Sequence, residues 1–196
     1  MKPTYTSALV RGPGFGQIHS IKSVLLGATL ALGLAPSADA AEQIFLKFPS
    51  VNGESRDSRH LGEVVLSGFS TNASITGGGG GGGAGKVVCG QVTIVKLIDL
   101  SSPQFLGLLF NGRHTAGPAT ITFEDTAERP FDFYKIDLVD VSVNSIAQAD
   151  PQNIAVTETI VLQASRYMYT YTPQKPDGSP GKQVSFGWDC KQYKQL

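Results

Sequence analysis

The sequence predicts a mainly β domain with one short α-helix. Runs rich in β-branched and aromatic residues follow one another along most of the chain, several with period-2 alternation. Clusters of Gly, Pro, Asn and Asp separate these runs, as turns do. Only one segment has both the apolar pattern and the end signals of a helix. The predicted strands occupy residues 43–48, 63–70, 87–98, 119–123, 131–146, 156–171 and 183–190.

The run 131–146 changes its apolar face part of the way along. One parity is apolar at Tyr134, Ile136 and Leu138, and the other at Val139, Val141 and Val143. Successive side chains on a strand point to opposite faces, so this change predicts a bulge or a sharp bend. Strands that pass between two sheets or curl into a barrel need such a bend.

The predicted helix begins near Ser101 and ends at Asn111-Gly112. Ser101 is a suitable N-cap, and Pro103 is tolerated in the first turn, where its missing N–H costs nothing. Residues 104–110 are apolar nearly all round. This pattern predicts a helix buried against a sheet or at the end of a barrel.

Residues 1–40 have the parts of a secretory signal peptide. Basic residues precede the apolar run 24–35, and Ala38-Asp39-Ala40 supplies the small residues of a cleavage site. The run is shorter than the roughly 20 residues that span a bilayer. We therefore expect an exported, periplasmic or secreted product that begins at Ala41, consists of one domain (41–196) and has no stable membrane anchor.

Composition argues against nucleic acids, and the motifs argue against catalysis. Residues 41–196 hold 13 Lys and Arg against 15 Asp and Glu, without the basic excess of a nucleic-acid-binding face. A phosphate-loop skeleton, Gly80 to Gly85-Lys86, continues with Val87 where Ser or Thr would bind magnesium. His60 and His114 are predicted in exposed loops, with no metal-ligand spacing around them. We expect no enzyme, no cofactor and no metal.

Two cysteines, Cys89 and Cys190, both follow the signal peptide. An even number in an exported protein is compatible with one disulfide. Two buried thiols are the alternative, because Cys packs well as a small apolar side chain.

Two loops are candidates for protein contacts. The charged loop, residues 53–60, carries both signs of charge, and the glycine loop, residues 77–85, contains only Gly and Ala. A glycine run is flexible, and ordering it costs entropy. The tyrosines Tyr167, Tyr169 and Tyr171 share one strand face and either serve as a contact surface or lie over the core.

The motifs occur in an order that resembles the haemolysin-coregulated protein (Hcp) family, the tube proteins of type VI secretion systems. The matching pieces are Phe45-Leu46-Lys47 with Gly53-Glu54-Ser55-Arg56-Asp57, Gly83-Ala84-Gly85-Lys86-Val87, Lys96-x-Ile98-Asp99-x-Ser101-Ser102-Pro103, Tyr171-x-Pro173-Gln174-Lys175-x-Asp177-Gly178 and Phe186-Gly187-Trp188-Asp189. They extend from Phe45 almost to the C-terminus.

The resemblance implies a two-sheet β-barrel with a short flanking helix, and hexameric rings that stack into a tube. It also implies a spike protein, a sheath and small effector proteins as partners. The positions it assigns to assembly are Glu54, Arg56, Asp57, Arg59, Gly80, Gly83, Gly85 and Lys86. The signal peptide departs from this pattern, because tubes assemble in the cytoplasm. An exported Hcp-like binding module outside the tube is the alternative.

Overall fold

The computed structural model describes residues 42–77, 85–127, 129–150 and 155–196. These residues form a mainly β fold with one short helix, as predicted. The elements are β1 (Glu42–Lys47), β2 (Val64–Leu66), β3 (Gly68–Thr76), β4 (Lys86–Leu97), α1 (Ser102–Phe110), β5 (Ala119–Asp125), β6 (Phe131–Val139), β7 (Ser142–Ala149), β8 (Thr157–Gln163), β9 (Arg166–Tyr171), β10 (Val184–Asp189) and β11 (Lys194–Gln195).

The strands form two antiparallel sheets. The seven-stranded sheet has the order β11-β10-β9-β6-β5-β1-β2, and the four-stranded sheet has the order β3-β4-β8-β7. Among the described strands, these two hydrogen-bonded ladders stay separate. The closed barrel implied by the resemblance is therefore replaced by two layers.

Three long runs predicted as single strands are each two strands, because the chain changes sheet within them. The changes occur between β2 and β3, between β6 and β7, and between β8 and β9. The change of apolar face in the run 131–146 lies at the second of these points, where Asp140 has a left-handed backbone (φ 57°). The bend predicted from that change is confirmed.

One core contains buried side chains from both sheets. In the four-stranded sheet, Val92 lies opposite Leu162 and Ile94 opposite Ile160, all nearly inaccessible. The seven-stranded sheet contributes equally buried side chains, among them Leu46, Ile121, Ile136 and Leu138. Burying one such side chain is worth about 1.5–3 kcal/mol, so this core holds the layers together.

The same inward face of β4 and β8 ends in a buried ion pair. Lys96 lies opposite Glu158, both are fully buried, and Nζ lies 3.2 Å from Glu158 Oε2. Nζ also lies 2.8 Å from Asp99 Oδ1 and donates to Ser102 Oγ at 2.9 Å. Because a buried ammonium needs several acceptors, Lys96 fixes the chain at the start of α1.

The helix has the predicted ends, with Ser101 at its N-cap and Asn111 at its C-cap, but its capping and burial differ from the prediction. Ser101 has an αR backbone and makes no side-chain cap; its Oγ donates to Asp99 instead. Within the helix Ser102 and Phe105 are buried, whereas Phe110 is 83% exposed. Phe105 meets Phe48 edge-on at 5.2 Å between ring centroids. The helix thus lies on the surface of the core and is not surrounded by it.

A disulfide joins Cys89 of β4 to Cys190, directly after β10. The two Cα atoms lie 6.1 Å apart and the residues are 101 positions apart in sequence. Since β4 and β10 belong to different sheets, the bond is a covalent link between the layers.

Several predictions fall outside the described residues: the signal peptide, Gly80 and Gly83. In the part of the chain that the structure describes, no helix has the length and apolar character needed to cross a bilayer.

Candidate functional site: the charged loop and the glycine hairpin

The charged loop is folded back on itself by backbone hydrogen bonds. Gly53 N–H donates to Gly62 O at 2.8 Å, and Ser55 N–H donates to Glu63 O at 3.0 Å. A Cβ on Gly53 would lie 2.2 Å from Glu63 O, so only glycine fits there. The backbone approach that closes this loop therefore requires Gly53.

His60 packs on the face of the seven-stranded sheet that is opposite the core. Its ring stacks on Phe45 with 4.2 Å between centroids and 12° between planes. His60 is only 5% exposed, and its Nδ1 lies 3.0 Å from Glu63 Oε2. The prediction of an exposed loop histidine is wrong here, because the loop covers this face. His114, by contrast, is exposed as predicted.

Arg59 bridges two carboxylates on neighbouring strands. Glu124 of β5 lies opposite Asp132 of β6, next to a register shift. Like charges directly opposite each other destabilise a sheet. Arg59 relieves this repulsion, because Nη1 donates to Glu124 Oε1 at 3.0 Å and Nη2 donates to Asp132 Oδ1.

These two carboxyl groups have opposite pKa shifts. Burial raises the pKa of Glu124, the charge of Asp57 raises it further, and Arg59 only partly opposes this. Burial also acts to raise the pKa of Asp132, but hydrogen bonds and charge from Lys135 and the charge of Arg59 outweigh it. The pKa of Asp132 is therefore lowered.

Glu124 holds an unusual position in this cluster. It is fully buried, and its Oε2 has no hydrogen-bond partner. Asp57 Oδ1 accepts hydrogen bonds from the backbone N–H groups of Arg59 and His60, at 2.7 and 3.1 Å, and these bonds stabilise the turn in the charged loop. Ligand atoms of Asp57, His60 and Glu124 all lie within 4.8 Å of one another.

The structure places the predicted assembly residues in two groups. Glu54, Arg56, Asp57 and Arg59 lie in the charged loop, beside the seven-stranded sheet. Glu54 and Arg56 are exposed, and Glu54 Oε1 accepts the backbone N–H of Leu100 at 3.1 Å.

The second group lies at the start of β4, in the four-stranded sheet. Gly85 directly precedes this strand, and Lys86 is its first residue. Lys86 Nζ lies 4.5 Å from the centroid of the Tyr193 ring. The two groups therefore lie in different parts of the fold, since the charged loop lies beside the seven-stranded sheet and Lys86 belongs to the four-stranded sheet.

The glycine loop connects β3 to β4, and we call residues 70–76 and 86–91 the hairpin arm. In β3 every residue from 70 to 76 is exposed, so both faces of that strand are open. Ile75 is 69% exposed and Val88 is 41% exposed. Neither face of this part of β3 packs on the core of the subunit.

The predicted tyrosine face divides between the two alternatives. Tyr167 is buried, and its hydroxyl donates to Gly90 O at 2.8 Å. Tyr169 stacks beside it, with the ring planes 10° apart. Tyr171 at the strand end is 49% exposed. Only this last residue presents a large aromatic surface to solvent.

Sequence reasoning missed Glu124 and Asp132 as members of the site. The available signal was Glu124 itself, an acid directly after the alternating run 119–123. Its burial depends on a loop some 65 positions away in sequence, since Arg59 reaches it from there. No local pattern contains that contact.

Comparison with known proteins gives one consistent family. The family model described as "Type VI secretion system effector, Hcp" matches residues 45–171. A curated relative, Protein hcp1 of Pseudomonas aeruginosa, is 31% identical over 160 residues, which is 79% of this chain and 99% of that protein.

Solved structures share the fold at lower sequence identity. One described as a type six secretion system protein has a TM-score of 0.72 and 23% identity, with 80% of this chain and 100% of that chain covered. Hcp1 from Salmonella typhimurium has a TM-score of 0.67 and 24% identity, with 80% and 99% covered. These likenesses support the two-sheet fold.

Proposed function

The chain belongs to the Hcp family of type VI secretion system proteins, and from this premise we propose that it assembles into hexameric rings that stack into a tube. Membership of the family makes the chain a type VI secretion protein, and the ring and the tube are our proposal. A structural role follows from the family, which consists of secretion components and not of enzymes.

The observation that carries the proposal is the hairpin arm. All residues of β3 from 70 to 76 are exposed, including Ile75 at 69%. An isolated two-stranded ribbon is only marginally stable in water, so an arm of this kind gains from a neighbouring subunit that covers it. Contact between the arm of one subunit and a different surface of the next is heterologous, and it closes into a ring when the rotation divides a full turn.

The charged loop supplies the second element of the assembly. Its turn is held by Asp57, and Arg59 is fixed by Glu124 and Asp132, so the exposed Glu54 and Arg56 project from an ordered backbone. Charges on an ordered surface set register and reject wrong partners more than they add affinity. We assign the charged loop to register, the hairpin arm to the contact between neighbouring subunits of a ring, and the glycine loop to stacking of the rings.

The remaining partners follow from the role of a tube. A spike protein at its tip, a sheath around it and small effector proteins in its lumen are the partners we propose. Neither nucleic acid nor catalysis enters this role, and we propose no cofactor for it.

A second candidate is an exported Hcp-like binding module that works outside the tube. Two features favour it: the signal-peptide pattern of residues 1–40 and the Cys89–Cys190 disulfide, a bond typical of oxidising compartments. It differs from the first candidate in that the protein would not form stacked rings.

The test is the state of assembly of three proteins at high concentration. We expect the wild type to form rings and stacks by sedimentation velocity and electron microscopy. Deletion of residues 78–82 shortens the glycine loop and should leave rings but stop stacking. Replacing residues 78–82 by serines keeps the length, so this control should still stack.

A second pair of variants tests the role of strand β3 in assembly. Ile75→Ser removes an exposed apolar side chain from the hairpin arm and should weaken assembly by about tenfold. Phe110 on α1 is even more exposed, and Phe110→Ser should not weaken assembly. A monomeric wild type, or a deletion that stacks as readily as wild type, would count against the tube and favour the binding module.

A further inference from the structure

We propose that Asp57, His60 and Glu124 form a binding site for a divalent first-row transition metal ion, with zinc as the best fit. The three residues come from the charged loop and from β5, and their ligand atoms lie within 4.8 Å of one another. Such a site would join the loop to the sheet through a bound ion. The proposal stands independently of ring assembly.

The buried oxygen Glu124 Oε2 supports a cation site. Buried polar atoms without a hydrogen-bond partner are rare in native proteins, because leaving them unpaired costs free energy. Glu124 is fully buried, Oε1 is bound by Arg59, and Oε2 has no partner. A proton on Oε2 would remove the charge but would leave a buried O–H donor to be satisfied. A cation satisfies the oxygen and the charge together.

The charge of the side chains around the cluster also favours a bound cation. Four carboxylates meet there, those of Asp57, Glu63, Glu124 and Asp132, and two cationic side chains, Arg59 and Lys135, reach them. The four carboxylates thus outnumber the two cationic side chains. Arg59 occupies Glu124 Oε1 and Asp132, so Oε2 is left for a different cation.

His60 has the arrangement of a metal-binding histidine. Its Nδ1 lies 3.0 Å from Glu63 Oε2, while Nε2 makes only the longer contact, 3.3 Å to Asp132 Oδ1. We assign Nδ1–H as the donor to Glu63, which leaves the lone pair of Nε2 for the ion. A carboxylate that orients the second ring nitrogen is the usual partner of a ligating histidine. Stacking on Phe45 fixes the plane of the ring.

The donor set selects the class of ion. One imidazole nitrogen and two carboxylate oxygens suit zinc and its first-row neighbours, whereas calcium and magnesium prefer oxygen alone. Asp57 Oδ1 already accepts two backbone N–H groups, so the other oxygen, Oδ2, is the proposed ligand. Solvent completes the coordination on the loop side, because Asp57 is only half-buried.

The experiment is a zinc titration of the untagged protein after removal of metal with a chelator. We expect calorimetry and elemental analysis to give about one zinc per chain. Saturating zinc should raise Tm by about 5–10 °C, because the ion binds only the folded chain. Magnesium and calcium at the same concentration should leave Tm unchanged.

Glu124→Gln retains the shape of the side chain and should weaken zinc binding by at least about tenfold. Asp57→Asn should do the same from the loop, without disturbing the core, and it replaces Glu124→Gln if that variant does not fold. His114→Gln is the matched control, because His114 lies 3.0 Å from Asp140 and offers an alternative surface site. It should bind zinc as wild type does.

The proposal is overturned if wild type shows no saturable zinc binding. It is equally overturned if Glu124→Gln and Asp57→Asn bind zinc as wild type does, or if His114→Gln alone abolishes binding.

Discussion

Asp140 shows how one residue holds a point where the chain changes sheet. It lies between β6 and β7 with φ 57°, a conformation that Asp and Asn tolerate better than most residues. Its Oδ2 accepts hydrogen bonds from Ser165 and, at 2.6 Å, from Lys191, while Oδ1 faces His114. Three separate segments therefore meet at one carboxylate.

These contacts predict a dependence of stability on pH. The hydrogen bonds from Lys191 and Ser165 lower the pKa of Asp140 to about 2. Because the folded pKa lies below the ordinary value near 3.8, the stabilisation is complete above about pH 4 and is lost as pH falls towards 2. A third of the side chain is exposed, so we expect about 1 kcal/mol or less at pH 7.

Asp140→Asn tests this, since Asn retains the backbone preference and loses the charge. Urea unfolding at a series of pH values should show a less stable variant at pH 7 and a smaller loss of stability between pH 4 and 2. Lys191→Gln should change the profile in the same direction. Identical profiles for Asp140→Asn and wild type would contradict the role of this carboxylate.

At the scale of elements, β4 is the strand on which the two layers depend. It has ladder partners on both sides, β3 and β8, and it carries both Cys89 and Lys96. Gly90 lies at the register shift between β3 and β4, and a Cβ there would lie 2.1 Å from the backbone oxygen of Asn72. This close approach requires glycine and sets the position of Cys89 beside it.

The disulfide from β4 should contribute measurably to stability. Its closed loop of about 100 residues corresponds to roughly 4–5 kcal/mol in the chain-entropy model, and native disulfides in practice contribute about 2–5 kcal/mol. We expect a reductant to lower Tm in wild type and to have no effect on the Cys89→Ala, Cys190→Ala double variant. An unchanged wild-type Tm, with both thiols open to labelling before reduction, would show that the bond does not form in the protein.

At the scale of the whole molecule, export and tube assembly make different demands. A tube subunit has to meet its neighbours and the sheath, whereas a processed signal peptide would take the chain to another compartment. The hairpin arm and the charged loop are available in either case, because both belong to the folded domain. The N-terminus of the native protein therefore separates the two proposed roles.

Mass spectrometry of the exported fraction should find Ala41 as the first residue. Ala40→Trp should block processing, because the cleavage site requires a small residue there. Asp39→Asn changes the middle position of the same motif and should be processed normally. An intact Met1 in the exported fraction would rule out cleavage at this site.

The sequence alone determined the class of the fold and the position of most elements. Alternation and β-branched composition placed β1, β4, β5 and β10, and the change of face in the run 131–146 revealed the bend at Asp140. These features are local, because the period of two and the residue preferences of strands act within a few residues. The family also followed from the order of short motifs.

The way in which distant parts of the chain meet is visible in the folded protein alone. The tertiary structure divided three predicted strands between two sheets, left those sheets unclosed, and brought Arg59 and His60 of the charged loop over Glu124 and Asp132. Glu124 and His60 are buried because the charged loop packs against β5 and β6. The contacts that join these segments connect residues some 65 to 72 positions apart in sequence. Periodicity carries no information at that range, because burial on the outer face of a sheet depends on which loop folds across it.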